Sequence, residues 1–307
     1  MTASAVVFGY GDVGVRCLAV LLAHGIDVKL VVTHLDDPNE NRWYSSLAEF
    51  AAANALPCVT PASVDDKLLY RLAALAPDFI FSFYYRNLLP RAVLAAARRG
   101  ALNMHGSLLP RFRGRAPVNW AVLHGATETG ATLHYMVDRA DAGDIVDQQA
   151  VPIGENDTAR EVFYGVAGAA EIVLDRSLPG LLDGTAPRRA QDLSAGEYCG
   201  RRRPEDGRID WSRPAREIHN LVRAVAPPFP GAFAAVGPQR WMVDSTRVLP
   251  RAASPAPPLR LYAEAGRCVV TCRDGERLRV LAARDERGAV DLAALAAELG
   301  DRTLPVA

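Results

Sequence analysis

The sequence predicts an α/β fold: a mainly parallel sheet with helices on both faces, followed by a small β-barrel-like domain of OB type. Three observations carry this expectation. Short apolar runs alternate with helix-periodic runs over residues 1–155. Gly9, Gly11 and Gly14 mark a tight turn directly after the first apolar run. Beyond Trp211 the pattern changes to short alternating runs with a single helix.

Taken in order, Val6–Gly9 reads as a strand and Val13–His24 as a helix that Gly25 is placed to cap. Val28–Thr33 is a second strand. Ser46 with Glu49 forms a capping box that opens a helix to about Asn54. Asp65–Ala76 has helical spacing, Asp78–Phe83 is a buried strand, Arg91–Arg98 a short helix and Ala101–His105 a strand. Two further strands flank a glycine-containing loop near residue 140. Thr158 with Glu161 opens the longest helix, which reaches about Leu182. The expected domains are residues 1–190 and 204–307, with a Gly-, Pro- and charge-rich linker over 191–203. The second domain begins with a helix over Ala215–Val225 and a proline-rich bend. Strands follow at 232–236, 241–249, 268–272 and 278–283.

Composition narrows the function classes. Half of the 307 residues are apolar and the formal net charge is zero, so the whole molecule is no electrostatic nucleic-acid binder. From residue 201 onward 18 Arg oppose 13 Asp and Glu, an excess compatible with an anionic ligand there. The five cysteines are scattered and odd in number, which suits reduced thiols in a cytoplasmic protein. No 18-residue apolar stretch and no leader-like N-terminus appear, so neither a membrane span nor secretion is expected. No spacing of His, Cys and acidic residues suggests a metal.

The G-x-G-x-x-G motif at Gly9–Gly14 admits two readings. One is a pyrophosphate cradle for a nicotinamide cofactor, with Asp36 or Asp37 as the ribose acid and an oxidoreductase as the function. The other is a tight turn that any parallel sheet needs between its first strand and helix. Asp12 inside the loop would repel a pyrophosphate, which favours the turn.

A denser set of polar residues lies over 102–146. Asn103 and His105 are two apart on a strand, so both point to one face at its C-terminal end, where open α/β sheets place ligands. Arg111, Arg113 and Arg115 follow in a Pro-bounded loop, then Asp138, Asp141 and Asp144. An amide can donate to the oxyanion of a tetrahedral intermediate. A carboxylate beside an imidazole favours the protonated form, which can serve a leaving group. The set therefore suits acyl transfer to an amine without a covalent intermediate.

The stretches "LNMHGSLLPRFRGRAPVNWAV" and "ETGATLHYMVDRADAGDIV" resemble the signature of the formyltransferases that use N10-formyltetrahydrofolate. This resemblance implies Asn103 as transition-state stabiliser, His105 as proton donor and Asp141 as the group that keeps His105 protonated. It also implies that the folate lies against Asn87, Leu88, Leu89, Arg115 and the loop Val137, Asp138, Arg139, Ala140, Asp141. Segments "VVTHLDDPNENRWYSSLAEFAA", "FSFYYRNLLP", "CGRRRPEDGRIDW" and "LVRAVAPPFPGAF" resemble the formyltransferase half of the bifunctional enzymes of lipid A aminoarabinose modification. The acceptor so implied is UDP-4-amino-4-deoxy-L-arabinose, with antibiotic resistance as the context. The alternative acceptor within the family is methionyl-tRNA. Asp36, Asp37 and Glu40 stand where the tRNA enzymes carry a basic insertion, and acids there would repel phosphates. A non-catalytic folate- or nucleotide-binding module stays open as a reading of another class, as does a homo-oligomer.

Overall fold

Strand β1 (Ser4–Gly9) is buried at every position, as an apolar run in the middle of a covered parallel sheet must be. The computed structural model describes residues 2–36, 42–251 and 259–307. Asp37 and Glu40 lie outside the described residues. The chain divides into two compact units. One comprises Met1–Pro117, Glu128–Pro152 and Phe163–Gly200; the other comprises Val118–Thr127, Ile153–Val162 and Arg201–Ala307.

After β1 come α1 (Gly11–Ala23), β2 (Asp27–Val32), α2 (Leu47–Ala53), β3 (Cys58–Val59) and α3 (Asp66–Leu75). Next are β4 (Phe79–Phe83), α4 (Arg91–Ala95), β5 (Gly100–His105), β6 (Arg113–Gly114) and α5 (Pro117–Leu123). Strands β7 (Glu128–Tyr135) and β8 (Ile145–Pro152) precede α6 (Ala159–Asp183), and β9 (Tyr198–Cys199) pairs with β6. The capping box at Thr158 is complete: Glu161 accepts from the Thr158 amide at 2.7 Å and Thr158 from that of Glu161. At Ser46 only half of the expected box is made: Ser46 accepts from the Glu49 amide at 3.3 Å, while Glu49 pairs with Arg42 at 2.9 Å.

The main sheet runs β3-β2-β1-β4-β5-β7-β8. It is parallel from β3 to β5, and β7 and β8 then add antiparallel to its edge. The chain moves outward from β1 to β3 and returns to β4 on the other side of β1, so the strand order reverses there. Val6, Phe8, Leu30, Val32, Leu72 and Ile80 form the core on one face. Alternation along β4 sends Phe79, Phe81 and Phe83 to the other, with ring centroids 5.7 and 5.5 Å apart.

Most of the stretch expected as a linker is tied into the first unit. Gln191 Nε2 donates to the carbonyls of Asp141 and Gly143 at 3.0 and 2.6 Å. The buried Arg113 donates to the carbonyls of Leu193 and Gly196, at 3.2 and 3.1 Å. Arg113 is therefore a strut, whereas an arginine in a polar loop is ordinarily solvated.

The second unit contains α7 (Ala215–Val225), β10 (Ala232–Val236), β11 (Gln239–Leu249), β12 (Arg260–Glu264) and β13 (Arg267–Thr271). It continues with β14 (Arg277–Asp285), β15 (Gly288–Ala289), α8 (Leu292–Leu299) and β16 (Thr303–Pro305). Its sheet is antiparallel in the order β10-β11-β14-β13-β12-β16, with β15 on β14. Ala235 and Ala307 exchange two backbone bonds and Val236 bridges Val306, which joins the two ends of the path. The sheet thus curls on itself as a barrel, and its edges are covered. Strands β12 and β16 and helix α8 are absent from the sequence expectation. In α8, Leu or Ala fills every position except Glu298, so no apolar stripe marks it.

Candidate active site

Two neighbouring strands bring the polar groups together. On β5, Leu102 and Met104 are buried on one face while Asn103 and His105 take the other. Antiparallel pairing sets Asn103 directly opposite His134 of β7. The loop after β7 then carries Asp141 back over the end of β5, with Asp141 itself in the left-handed region at φ 52°.

Asp141 is the hub of the cluster. Its Oδ1 lies 3.5 Å from His105 Nδ1, 3.5 Å from His134 Nε2 and 3.4 Å from Asn103 Nδ2. Its Oδ2 accepts from the Gly114 amide at 2.9 Å. Residue 114 has to be glycine: its φ is 99° and a Cβ there would collide with the Cys199 carbonyl. His105 Nε2 donates to the Phe112 carbonyl at 2.9 Å. His134 Nδ1 donates to the Tyr135 carbonyl at 2.9 Å, which leaves Nε2 as an acceptor for Asn103 Nδ2 at 3.2 Å. Both amide hydrogens of Asn103 are thus engaged.

The electrostatics depart from expectation at one point. Burial by itself would raise the Asp141 pKa, but His105 and the Gly114 amide hold it well below the usual carboxylate range. For His105, burial lowers the pKa and outweighs the opposing pull of Asp141. Asp141 thus pulls the His105 pKa up as expected, but the net direction is down, toward the neutral imidazole. The physical reason is that the ring is almost wholly removed from water, and a sequence contains no measure of that.

Backbone strain concentrates at the same place. Of the eight non-glycine residues with positive φ among the described residues, Tyr84, Phe112, Ala116 and Asp141 lie at the ends of β4 and β5 or in the loops beside them. Phe112 offers the carbonyl that His105 uses.

The residues expected to flank a folate are arranged less uniformly. Leu88 (76% exposed) and Val137 (48% exposed) are apolar side chains open to solvent on the two loops, and Asn87 is exposed beside Leu88. Leu89 instead packs against the core. A cavity of about 320 Å³ lies at the start of β5, lined by Gly100, Ala101, Tyr135, Asp144 and Arg188 among others, and takes in only Val137 of the expected folate residues. Asp138 pairs at 3.9 Å with Arg91, Arg139 is exposed and Ala140 half-buried. Arg115 donates to the Arg86 carbonyl at 3.4 Å. Sequence reasoning missed His134 and Gly114 as members of the cluster. The usable signal for His134 was the antiparallel register, which is visible only once β7 is placed.

The Gly9–Gly14 turn is filled by the chain itself. A Cβ at Gly9 would lie 2.8 Å from Leu47 Cδ2, and one at Gly14 3.2 Å from the same atom. The Tyr44 ring covers Gly11, and Asp12 Oδ1 accepts from the Ser45 amide and hydroxyl at 3.0 and 2.8 Å. The glycines therefore permit close packing of α2 and the segment before it. Among the described residues no group of three or more His, Cys, Asp or Glu is arranged to hold a metal, and no helix is long and apolar enough to cross a membrane. All five cysteines are free.

A half-buried amide and carboxylate thus meet a buried imidazole at the strand ends of an α/β sheet. Residues 5–178 match the formyl transferase family, and residues 202–297 match the formyl transferase C-terminal domain. The chain belongs to the formyl transferase family. Among solved structures, it is similar to an N-formyltransferase from Helicobacter canadensis in complex with folinic acid and dTDP-3-aminofucose. That match has 19% identity and a TM-score of 0.71, covering 91% of this chain and 99% of the other. WlaRD, a sugar 3-N-formyltransferase determined with dTDP and 5-N-formyl-THF, matches with 18% identity and a TM-score of 0.70, over 95% and 99% of the chains. A 4-N-formyltransferase from Francisella tularensis matches with 20% identity and a TM-score of 0.61, over 75% and 91%.

Proposed function

We propose that this protein transfers a formyl group from N10-formyltetrahydrofolate to the 4-amino group of a nucleotide-linked aminosugar, with UDP-4-amino-4-deoxy-L-arabinose as the acceptor. The observation that carries the reading is the cluster of half-buried Asn103 and Asp141 with buried His105 in a chain of the formyl transferase family. The sequence resemblance at 31–52, 81–90, 199–211 and 221–233 supports the aminoarabinose acceptor, and the aminosugar nucleotide and folates bound by structural relatives support the substrate classes. Leu88 and Val137 are the apolar surfaces against which the folate ring would lie.

The folate, when bound, supplies an activated formyl carbon attached to N10. The sugar amine attacks that carbon, and the bond from carbon to N10 breaks. Neutral His105 can accept the amine proton at Nδ1, where Asp141 lies 3.5 Å away and stabilises the imidazolium. The same proton then returns to N10, so the enzyme ends in its starting state. Asn103 donates an amide hydrogen to the oxyanion formed in between. The test is to supply N10-formyltetrahydrofolate together with the UDP-aminosugar or with methionyl-tRNA, and to follow both acceptors by mass spectrometry. A gain of one formyl group on the aminosugar alone is expected. Formylation of the tRNA, or of neither acceptor, overturns the reading.

A further inference from the structure

In the free protein Asn103 has no amide hydrogen to spare. One goes to His134 Nε2 at 3.2 Å and the other toward Asp141 Oδ1 at 3.4 Å. An oxyanion donor must release one of them. The two bonds are not equivalent. The contact with Asp141 is the longer, and Asp141 has a second claimant, because a proton arriving at His105 Nδ1 faces the same Oδ1 atom. The contact with His134 is the shorter, and although Nε2 also lies 3.5 Å from Asp141 Oδ1, the neutral ring whose Nδ1 donates to Tyr135 has no Nε2 proton to give that oxygen. His134 is 1% exposed, sits directly across from Asn103 in the β5/β7 register, and is held in one tautomer by its bond to the Tyr135 carbonyl.

From this geometry we infer that His134 is a positioning residue for the reaction: its Nε2 is the fixed acceptor about which the Asn103 amide turns from Asp141 to the oxyanion. Proton uptake by His105 supplies Asp141 Oδ1 with a new donor, which frees the second Asn103 hydrogen as negative charge develops on the formyl oxygen. His134 retains the first hydrogen throughout and keeps the amide edge aimed at the site. Without it, the amide is free to rotate and present its carbonyl oxygen to the oxyanion, which is repulsive. The inference rests on the formyl-transfer reading of Asn103.

A double-mutant cycle on the full chain tests it, since coupling energy separates a shared function from two independent defects. His134→Leu removes the acceptor and is expected to lower kcat roughly tenfold or more, while KM for both substrates stays within about twofold. In the Asn103→Ala background the same change is expected to cost less than about twofold, because no amide is left to aim. His134→Gln, whose side-chain oxygen can take the place of Nε2, recovers most of the lost kcat. Circular dichroism and the thermal midpoint establish that each variant is folded. Should His134→Leu fail to fold, His134→Met, also without a strong acceptor and of similar volume, takes its place in the cycle.

Three results overturn the inference: kcat of the His134 variant within twofold of wild type, a loss confined to KM, or an equal loss in both backgrounds. If Asn103→Ala alone turns over normally, the formyl-transfer role of Asn103 fails first. That outcome is distinguishable because it needs no change at His134.

Discussion

At the C-terminal ends of β1 and β5 the same sheet presents two loops that differ in what fills them. Beyond β1, Gly9 and Gly14 are covered by Leu47 and Gly11 by Tyr44, while Asp12 is bonded to Ser45. Beyond β5, an imidazole and an amide meet a carboxylate, with His134 behind them and left-handed backbone at Phe112 and Asp141. The first loop places apolar contacts where a recognised motif suggests a ligand. The second keeps buried polar groups whose protonation and hydrogen bonding can change, at a cost in desolvation and strain. Glycines in a strand-to-helix turn report how closely another element approaches. Titratable groups that share one acceptor are what the proposed chemistry rests on.

The sharpest way to break this contrast is at β5. His105→Ala is expected to lower kcat by about 10²- to 10⁴-fold, the usual worth of a positioned proton-transfer group. Asn103→Ala is expected to cost about 2.7–4 kcal/mol of barrier, roughly 10²- to 10³-fold. Steady-state formylation assays check both, and near-normal turnover in either would take the chemistry away from this loop. Gly9→Ala should act only on folding. Its Cβ presses on Leu47, and a loss of about 1–3 kcal/mol in denaturant unfolding is expected, with kcat per folded molecule unchanged.

A pH experiment sharpens the comparison further. The His105 pKa is lowered on folding, so below about pH 6.5 the unfolded chain takes up a proton that the folded one refuses, and stability falls as pH falls. His105→Gln should therefore lose less of its thermal midpoint than wild type between pH 7 and pH 5. Asp141 acts in the same direction at lower pH: its stabilisation is present above the usual carboxylate range and is lost as pH drops through its lowered value. An identical midpoint profile in the two proteins would mean that His105 is not buried neutral. The smallest effect is expected at the glycine turn. Asp12→Ala removes the bonds to Ser45 and should cost about 0.5–1.5 kcal/mol of stability with no change in kcat.

Much of the architecture was legible along the chain. Apolar runs place β1, β2, β4 and β5 to within a residue or two, and the capping boxes mark the starts of α2 and α6. Asn103 and His105 were legible as neighbours on one face of a strand, and Asp141 as one of three loop acids that the resemblance singled out. His134 was not, because its place opposite Asn103 depends on β7 returning antiparallel in one register. Gly114 was not either, since its amide reaches Asp141 across 27 positions of sequence. Helix α8, nearly all Leu and Ala, offers no periodic contrast.

By itself, then, the sequence determined the local periods: which residues alternate on a strand, where a helix can start, and where only glycine permits a close approach. Those are properties of a few consecutive residues and their backbone preferences. The tertiary structure decided which distant strand stands beside β5, that the glycine turn is occupied by Tyr44, Ser45 and Leu47, and that burial lowers the His105 pKa. These depend on how much water is excluded and on which groups meet after the chain has folded back. The Coulomb attraction between an acid and an imidazole can be anticipated from their identities, but the desolvation that outweighs it here is set by everything packed around them.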